Sequence, residues 1–571
     1  MPPTVSDTAP PAASSAASPT VLTRPVRYHA DGGALLEHLT RAGLLRSAGR
    51  SADDGEAAGV RPVDCVLLES ADITTKASRT TVAVLEASAR LTCWGGTVTA
   101  EALSTVDGEG PGADGLAALA RLEERLSEHL ADRSPSRLTL ALPTSADDDA
   151  TDATIEERER LTALSTIEPL RVLAQAEVDH PHLPLEAGAF AFDYLSTFES
   201  LPEVAQGANT CPDYLFYDAR IILVVDHPTQ EATLVGASVD ATELEQRLDA
   251  LAAAINTAAD AAEHSPAPPE VAADSAVLHA VPTTSDADFE AVVETMRGYI
   301  ADGDVYQVVP SRGFTIDCPD ALAAYHVLRH ANPSPYMFYL AAPDFELFGA
   351  SPESALLYSV RSSRVAIRPI AGTRPRGLHP DGSVDHERDT RLELELRTDA
   401  KEVAEHVMLV DLARNDVARV SRPGTRSVQD LLRVDRYSRV MHLVSEVSGE
   451  LAEDLDALDA FRASMTMGTL TGAPKLRAAE LIRQAEGVRR GSYGGSVGYI
   501  RGDGKLDTCI VIRSGFVVDG TALVQAGAGV VAASSPAAEA AETVHKARAV
   551  LEAVAAAQGA ALVIDTTGKE A

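Results

Sequence analysis

The stretch TCIVIRSGFVVDGTALVQAGAGVV (508–531) precedes the run AAEAAETVHKARAVLEAVAAA (537–557). The first is rich in apolar and β-branched residues interrupted by Asp-Gly, and it predicts two strands. The second is rich in alanine and charged residues, and it predicts a long helix. Strands such as ELFGAS (346–351) and helices such as TDAKEVAEHVMLVDLARNDV (398–417) mix in the same way. An α+β fold with extensive sheets is therefore expected.

Two weakly patterned segments divide the chain. Residues 1–20 are mostly Ala, Pro, Ser and Thr, and we expect a disordered tail because so few large apolar side chains cannot offset the entropy of ordering. Residues 256–273, NTAADAAEHSPAPPEVAA, change from an alanine-rich helix to Pro and Glu, which favours a linker. The sequence thus predicts an N-terminal domain at 21–255 and a second domain at 274–560.

The overall charge restricts the partners. Lys and Arg total 49 against 84 Asp and Glu, and the net charge of −35 disfavours binding to nucleic acid or anionic lipid. No stretch approaches the roughly 18 apolar residues of a membrane span, and the first residues lack the features of a signal peptide. We therefore expect a cytoplasmic protein. An anionic ligand would need a metal ion, an arginine or backbone N–H groups.

Two predicted helices carry pairs of glutamates. Glu402 and Glu405 are three residues apart on a helix that begins near residue 398, so they share one helical face. Glu539 and Glu542 have the same spacing on a helix that Ser535 and Pro536 introduce as a capping residue and first helical residue. Two such pairs would suit Mg²⁺, although in an acidic chain glutamate pairs are usually solvated surface.

Three glycine-rich segments lie between or beside these helices: GTLTGAPK (468–475), GSYGGSVGY (491–499) and QAGAGVV (525–531). Their backbone N–H groups could approach an anion closely, and the hydroxyls of Thr469 and Tyr493 could add hydrogen bonds. No nucleotide-binding spacing is present, and ordinary glycine turns are the alternative. Arg513 interrupts an apolar strand in IVIRSG, where it could pair with a substrate carboxylate or form a structural ion pair.

These segments resemble the chorismate-utilising enzyme family, and the similarity runs almost continuously from about residue 284 to 550. The other motifs that support this resemblance are YQVVPSR (306–312), NPSPYMFY (332–339), GASPES (349–354), PIAGTRPRG (369–377), AEHVMLVDLARND (404–416) and RYSRVMHLVSEVSG (436–449). The resemblance implies a large mixed α/β fold with extensive antiparallel sheets flanked by helices. It also makes residues 274–560 the chorismate-binding catalytic domain.

The resemblance implies roles for individual residues. Glu405 and Glu542 would bind Mg²⁺, and Glu402 and Glu539 would assist through bound water. Glu353, His442 and Thr469 match catalytic positions, although His442 taken alone would be a structural histidine in an apolar run. The residues that match positions holding the substrate's carboxylates are Gly372, Thr373, Tyr493, Arg513, Gly527, Ala528 and Gly529.

Two positions distinguish branches of the family. Branches that add water to chorismate carry a lysine where this chain has Gln307, and aminodeoxychorismate synthases carry one where it has Ala371. Neither residue here can act as a base or nucleophile, which favours direct addition of ammonia and formation of anthranilate and pyruvate by a lyase. Glu353 would donate a proton to the leaving hydroxyl group. The alternatives are aminodeoxychorismate synthesis and a tryptophan-binding regulator without catalysis.

Regulation and ammonia supply complete the expectations. LLESAD (67–72) looks like the tryptophan-sensing strand of anthranilate synthases, which makes 21–255 a regulatory domain. Ser70, Pro335, Tyr336 and Met337 would bind tryptophan as a feedback inhibitor, and plain strand and turn packing is the alternative. None of the five cysteines lies in a disulfide or zinc spacing, or in a G-x-C-x-G elbow. We therefore expect ammonia from solution or from a separate glutaminase subunit, in a heterotetramer.

Overall fold

The computed structural model describes residues 18–49, 59–71, 78–106, 108, 110–144, 157–258, 276–379, 383–436 and 440–566. The predicted tail lies outside the described residues except for its last three, and so does the predicted linker except for its first three. The described part confirms a mixed α/β fold in which a large, mainly antiparallel sheet is flanked by helices.

The α-helices of the described ranges are α1 Gly32–Arg41, α2 Ala113–Leu126, α3 Glu157–Thr162, α4 Glu168–Ala174, α5 Ala241–Thr257, α6 Asp286–Asp302, α7 Ala321–Ala331, α8 His386–Thr398, α9 Ala400–Val420, α10 Ala457–Ser464, α11 Lys475–Glu486 and α12 Pro536–Ala557. Short 3₁₀ turns occupy Ser127–His129, Phe192–Thr197, Val360–Ser362 and Gly468–Leu470. None of these helices is both long and apolar enough to cross a membrane within the described ranges.

The strands are β1 Thr20–Val26, β2 Ser47–Gly49, β3 Val60–Pro62, β4 Cys65–Ala71, β5 Ser78–Trp94, β6 Thr97–Ala102, β7 Leu130–Ser134, β8 Arg137–Ala141, β9 Leu185–Phe190, β10 Tyr214–Asp226, β11 Glu231–Ser238, β12 Val277–Pro282, β13 Gln307–Val308, β14 Ser311–Asp317, β15 Tyr336–Ala341, β16 Glu346–Ser351, β17 Ser354–Ser359, β18 Arg364–Ile367, β19 Ile370–Pro375, β20 Ser427–Arg436, β21 Val440–Glu450, β22 Gly472–Ala473, β23 Ser496–Arg501, β24 Leu506–Ile510, β25 Ser514–Val518, β26 Thr521–Gly527 and β27 Ala561–Ile564. Twenty-three of them form one hydrogen-bonded network.

Strands from both sides of the predicted linker pair with each other. β4 runs antiparallel to β15, with Glu69 opposite Met337, and β9 runs antiparallel to β23, with Gly188 opposite Gly498. β12 and β27 form a parallel pair. The two stretches of the chain therefore share sheets and buried cores, and the division at 21–255 and 274–560 stays a proposal about function.

The ends of two helices determine how the predicted glutamates are presented. Asp399 caps α9, because its carboxylate accepts hydrogen bonds from the N–H groups of Lys401 and Glu402. α12 begins at Pro536 as expected, but the hydroxyl of Ser535 makes no capping hydrogen bond, contrary to the sequence prediction. The Ser535 carbonyl instead accepts the first helical bond, from the N–H of Glu539, and Pro536 supplies a helical φ.

Candidate active site

A cavity of about 490 Å³ lies where β19, β21, α9 and α12 converge. Residues from segments more than 200 positions apart line it, because the sheet pairings bring the ends of several strands together. Every predicted catalytic, substrate-binding and metal-binding residue lines this cavity except Ala528. The tertiary structure thus brings together a set that the sequence spread over residues 353 to 542.

Glu353 is the buried carboxyl group of the cavity. Burial raises the pKa of Glu353 to about 7, although a hydrogen bond from the Thr469 hydroxyl opposes the rise. That hydroxyl lies 2.8 Å from Glu353 Oε1. A carboxyl group with a pKa near neutrality can hold a proton and still release it to a leaving group. The geometry therefore suits a general acid.

His442 lies on β21, directly opposite Thr373 on β19. Its Nδ1 is 2.9 Å from Thr373 Oγ1, which fixes the ring orientation. Burial, reinforced by the positive charge of Arg513, lowers the pKa of His442 to about 4. The imidazole is therefore neutral at physiological pH and has the lone pair that a proton acceptor requires.

Arg513 and Tyr493 provide the donors for an anion. Arg513 does not lie inside a strand, contrary to the sequence prediction; it occupies the break between β24 and β25 with a φ of 51°. Such left-handed backbone is strained for arginine and is concentrated at functional sites. Burial raises the pKa of Tyr493 to about 12, so its hydroxyl remains a hydrogen-bond donor.

Glycines allow the backbone close to the cavity. Gly372 has a φ of 83°, which is the left-handed region, and a Cβ at Gly527 would lie 2.7 Å from the carbonyl oxygen of Pro310. Ala528 differs from its neighbours, because its side chain is fully buried away from the cavity. Its N–H already donates to Pro310 O at 3.1 Å and is therefore engaged.

Four glutamates from α9 and α12 face one another across the cavity. Burial raises the pKa of Glu405, and Glu402, Glu542 and Glu539 add to this effect while Lys401 opposes it. Burial likewise raises the pKa of Glu539. Burial acts in the same direction on Glu542, but the Lys546 ammonium, 2.6 Å from Glu542 Oε1, together with Lys401 and Glu539, leaves the pKa of Glu542 lowered.

This arrangement fits Mg²⁺. Glu405 Oε1 is buried and accepts no hydrogen bond from the described residues, as expected of an oxygen reserved for a cation. No group of three or more His, Cys, Asp or Glu among those same residues could hold a metal ion by itself. Such a site is still compatible with Mg²⁺, because this ion commonly binds one or two carboxylates and completes its coordination shell with water and substrate oxygens.

Sequence reasoning missed two cations and a histidine in the cavity: Lys401, Lys546 and His545. Lys546 Nζ donates to the carbonyl of Gly527 at 2.9 Å and thereby links α12 to the glycine segment. A signal was available, because Lys401 and Lys546 each stand four residues from a predicted metal ligand, on the same helical face. Gln307 also lines the cavity, and its buried Oε1 has no hydrogen-bond partner within the described ranges.

The predicted tryptophan-binding residues lie elsewhere. Ser70 and Met337 are on the paired strands β4 and β15, Tyr336 begins β15, and Pro335 immediately precedes it. Ser70 Oγ lies 2.8 Å from Thr80 Oγ1, and the Tyr336 hydroxyl donates to Asp507 at 3.3 Å. The structure thus brings the four together at one end of this strand pair, and none of them lines the cavity.

Comparison with known proteins defines the class. A family model for chorismate binding enzymes matches residues 133–552. The chain therefore belongs to the chorismate-binding enzyme family, as the sequence motifs predicted.

Within this family, the chain is clearly similar in sequence to proteins named anthranilate synthase component 1. The protein of that name from Vibrio cholerae is 48% identical over 500 residues, covering 86% of this chain and 91% of that protein. The Escherichia coli protein of the same name is 47% identical and covers 88% and 94%. The crystal structure of anthranilate synthase component I from Streptococcus pneumoniae superimposes with a TM-score of 0.59 at 28% identity, over 83% and 92% of the two chains. These relatives confirm the predicted branch of the family.

Proposed function

We propose that the chain converts chorismate and ammonia into anthranilate and pyruvate, the committed step of tryptophan synthesis. The relatives named anthranilate synthase component 1 support this reaction. The observation that carries the chemistry is Glu353, a buried acid with a pKa near 7 in the same cavity as cationic and hydroxyl donors. An acid is needed because hydroxide is a poor leaving group.

In the first step ammonia attacks the unsaturated ring carbon beside the one that bears the carboxylate, the two ring double bonds shift, and the ring hydroxyl leaves as water with the proton that Glu353 donates. Thr469 holds the Glu353 carboxyl in place through its 2.8 Å hydrogen bond. In the second step pyruvate leaves and a ring proton is removed, which makes the ring aromatic. His442 is neutral and held by Thr373, so it is positioned to accept that proton.

The substrate's two carboxylates need positive charge in a protein with a net charge of −35. Arg513 and the Tyr493 hydroxyl bind and orient one carboxylate, with the backbone around Gly372 and Gly527 allowing its close approach. Glu405 and Glu542 would hold Mg²⁺ directly, and Glu402 and Glu539 through water. The bound ion would supply positive charge to a substrate carboxylate.

The nucleophile is assigned from two positions of the cavity at which other branches of the family carry a lysine. Gln307 is a neutral amide and Ala371 is inert, and both line the cavity. Direct ammonia addition is therefore favoured over addition of water or of a lysine amine from either of these two positions. We propose that a glutaminase subunit supplies the ammonia from glutamine in a cytoplasmic heterotetramer, which agrees with the "component 1" in the relatives' name.

The proposed tryptophan site would make the enzyme sensitive to its end product. Tryptophan would bind where β4 and β15 pair, between Ser70 and the segment Pro335, Tyr336 and Met337. Because β15 also pairs with β16, which ends just before Glu353, a ligand there can act on the catalytic carboxyl group through two neighbouring strands.

The test incubates the purified chain with chorismate, Mg²⁺ and ammonium at mildly alkaline pH and identifies the product by fluorescence and mass. We expect anthranilate, lost with a chelator and reduced by tryptophan, and glutamine-dependent turnover when the glutaminase subunit is added. Isochorismate or aminodeoxychorismate as the product would overturn the proposed reaction. Anthranilate formation that tryptophan does not affect would overturn the regulatory part alone.

A further inference from the structure

A second cavity, of about 240 Å³, lies between α2, β10 and the connection 176–184. It shares no lining residue with the cavity that contains Glu353. It also lies away from Ser70, because its β5 residue, Ser88, is eight positions along that strand from Thr80, the partner of Ser70. The proposed reaction and the proposed tryptophan site therefore leave this cavity without a role.

One face of α2 supplies charged groups to the cavity. Asp114, Ala117 and Arg121 are three and four residues apart, so they point the same way, towards Asp218 and Arg220 on β10. The charge of Arg220 is already satisfied, because its guanidinium bonds Asp114 at 2.6 Å and Glu86 at 2.9 Å.

Arg121 and Asp218 are the oppositely charged pair with capacity left for a ligand, since the Ser88 hydroxyl is the hydrogen-bond donor that Asp218 already has from the wall. The nearest nitrogen and oxygen of Arg121 and Asp218 are 3.9 Å apart, which is too long for a hydrogen bond. Arg121 Nε is buried and has no hydrogen-bond partner among the described residues. Asp218 is almost wholly buried and faces Glu186 directly across β9 and β10.

Glu186 and Asp218 form a buried pair of acidic side chains beside the cavity. Burial, and after it the charge of Asp218, raises the pKa of Glu186 far above its usual range. Burial also raises the pKa of Asp218, and the Arg121 charge and the hydrogen bond from Ser88 oppose that rise. Neither Glu186 oxygen accepts a hydrogen bond from the described residues. Buried polar groups normally have hydrogen-bond partners. Among the described residues, Arg121 Nε and both oxygens of Glu186 lack such partners beside this cavity, which indicates a polar ligand.

Ser18, Ser88 and Glu177 add polar groups to the wall, and most of the remainder is apolar, including Ala117, Val178, Leu183, Pro184, Ala237 and Val239. A ligand that matches this wall has one cationic and one anionic group side by side and an apolar remainder. The volume is below the roughly 300–1,000 Å³ typical of drug-sized ligands. We propose that this cavity binds an α-amino acid with a large apolar side chain, whose carboxylate pairs with Arg121 and whose ammonium pairs with Asp218.

The experiment titrates L-leucine, L-phenylalanine, L-tryptophan and glycine into the full-length chain by calorimetry and by thermal shift. L-Tryptophan is titrated into a Ser70→Arg variant, so that the proposed inhibitor site does not contribute. We expect saturable binding of at least one of the three large amino acids and none of glycine. No binding of any of the three at millimolar concentration would overturn the proposal, whatever the result of the anthranilate assay.

Three variants locate the binding. Arg121→Leu and Asp218→Asn each remove one charged partner and should weaken binding roughly tenfold or more. Ala117→Phe leaves both charges in place and fills the cavity from a partly exposed position on α2, so it should abolish binding even if a charge variant folds poorly. Arg125→Leu, one turn further along the helix at an exposed position that does not line the cavity, is the matched control and should bind normally. Binding that survives both Ala117→Phe and Arg121→Leu would refute the assignment.

Discussion

At the scale of single residues, the environment of Glu353 decides what its carboxyl group can do. The chain has 84 acidic residues, and nothing in the local sequence distinguishes the acidity of this one. Burial at 4% exposure raises its pKa to about 7, against the opposing effect of the hydrogen bond from Thr469. A substantial fraction of the Glu353 carboxyl groups therefore carries, near neutral pH, the proton that the leaving hydroxyl requires.

Removing that proton should stop turnover with little effect on binding. Glu353→Gln keeps the shape and cannot donate a proton, so we expect kcat to fall by roughly 10²–10⁴ while KM changes little. The measurement is anthranilate fluorescence in steady state. Glu346→Gln is the control, because Glu346 is also buried on a neighbouring strand but does not line the cavity. An equal loss in both variants would contradict a specific acid role.

The acidity of Glu353 also predicts the pH profile. The acid must be protonated, so glutamine-dependent kcat/KM should fall as pH rises through about 7, the pKa of Glu353 in the free enzyme. Thr469→Val removes a hydrogen bond that stabilises the carboxylate, so it should raise the pKa and move this alkaline limb to higher pH. An unchanged or downward-shifted limb in Thr469→Val would contradict the assignment.

At the scale of elements, two helices carry the proposed metal ligands. Glu405 on α9 and Glu542 on α12 should each be needed for Mg²⁺, so Glu405→Gln and Glu542→Gln should raise the half-maximal Mg²⁺ concentration at least about tenfold. Glu552→Gln, on the exposed side of α12, is the matched control. A Mg²⁺ titration of activity gives the result, and unchanged Mg²⁺ dependence in both site variants would exclude these ligands.

The start of α12 offers a test of stability. Ser535 occupies the N-cap position in extended backbone but makes no side-chain cap, which leaves the first turn less well satisfied. Ser535→Asp should accept a hydrogen bond from the first turn and complement the helix dipole, which stabilises by about 0.5–1 kcal/mol. Thermal unfolding measures it, with Ser535→Ala expected to be nearly neutral. A lower melting temperature for the aspartate variant would mean that its charge repels Glu539 more than it caps.

At the scale of the whole molecule, the shared sheets determine what can fold alone. β4 and β9 precede the predicted linker, yet they pair with β15 and β23, which follow it. A fragment of residues 276–566 would expose these strand edges and the buried faces beside them, so we expect it to aggregate when expressed alone. Coexpression with residues 18–258 should restore solubility. Size-exclusion chromatography distinguishes the aggregated fragment from the soluble complex. A soluble, cooperatively unfolding 276–566 fragment would show an independent domain.

The sequence by itself determined the local elements and the chemical types present. Helices α9 and α12, the three-residue spacing of their glutamates and the glycine segments all follow from interactions between neighbours, and the long motifs identified the family. Propensity also set the start of α12 at Pro536, although it predicted a serine cap that the structure lacks.

Only the tertiary structure decided where these parts meet and what their environment does to them. Glu405 and Glu542 face one cavity because long-range strand pairing positions α9 and α12. Such pairing cannot be predicted from a short stretch of sequence. The raised pKa of Glu353, the left-handed backbone of Arg513 and the pairing of Glu186 with Asp218 are likewise products of burial. The physical reason is that propensity acts over a few residues, whereas desolvation depends on every element packed around a group.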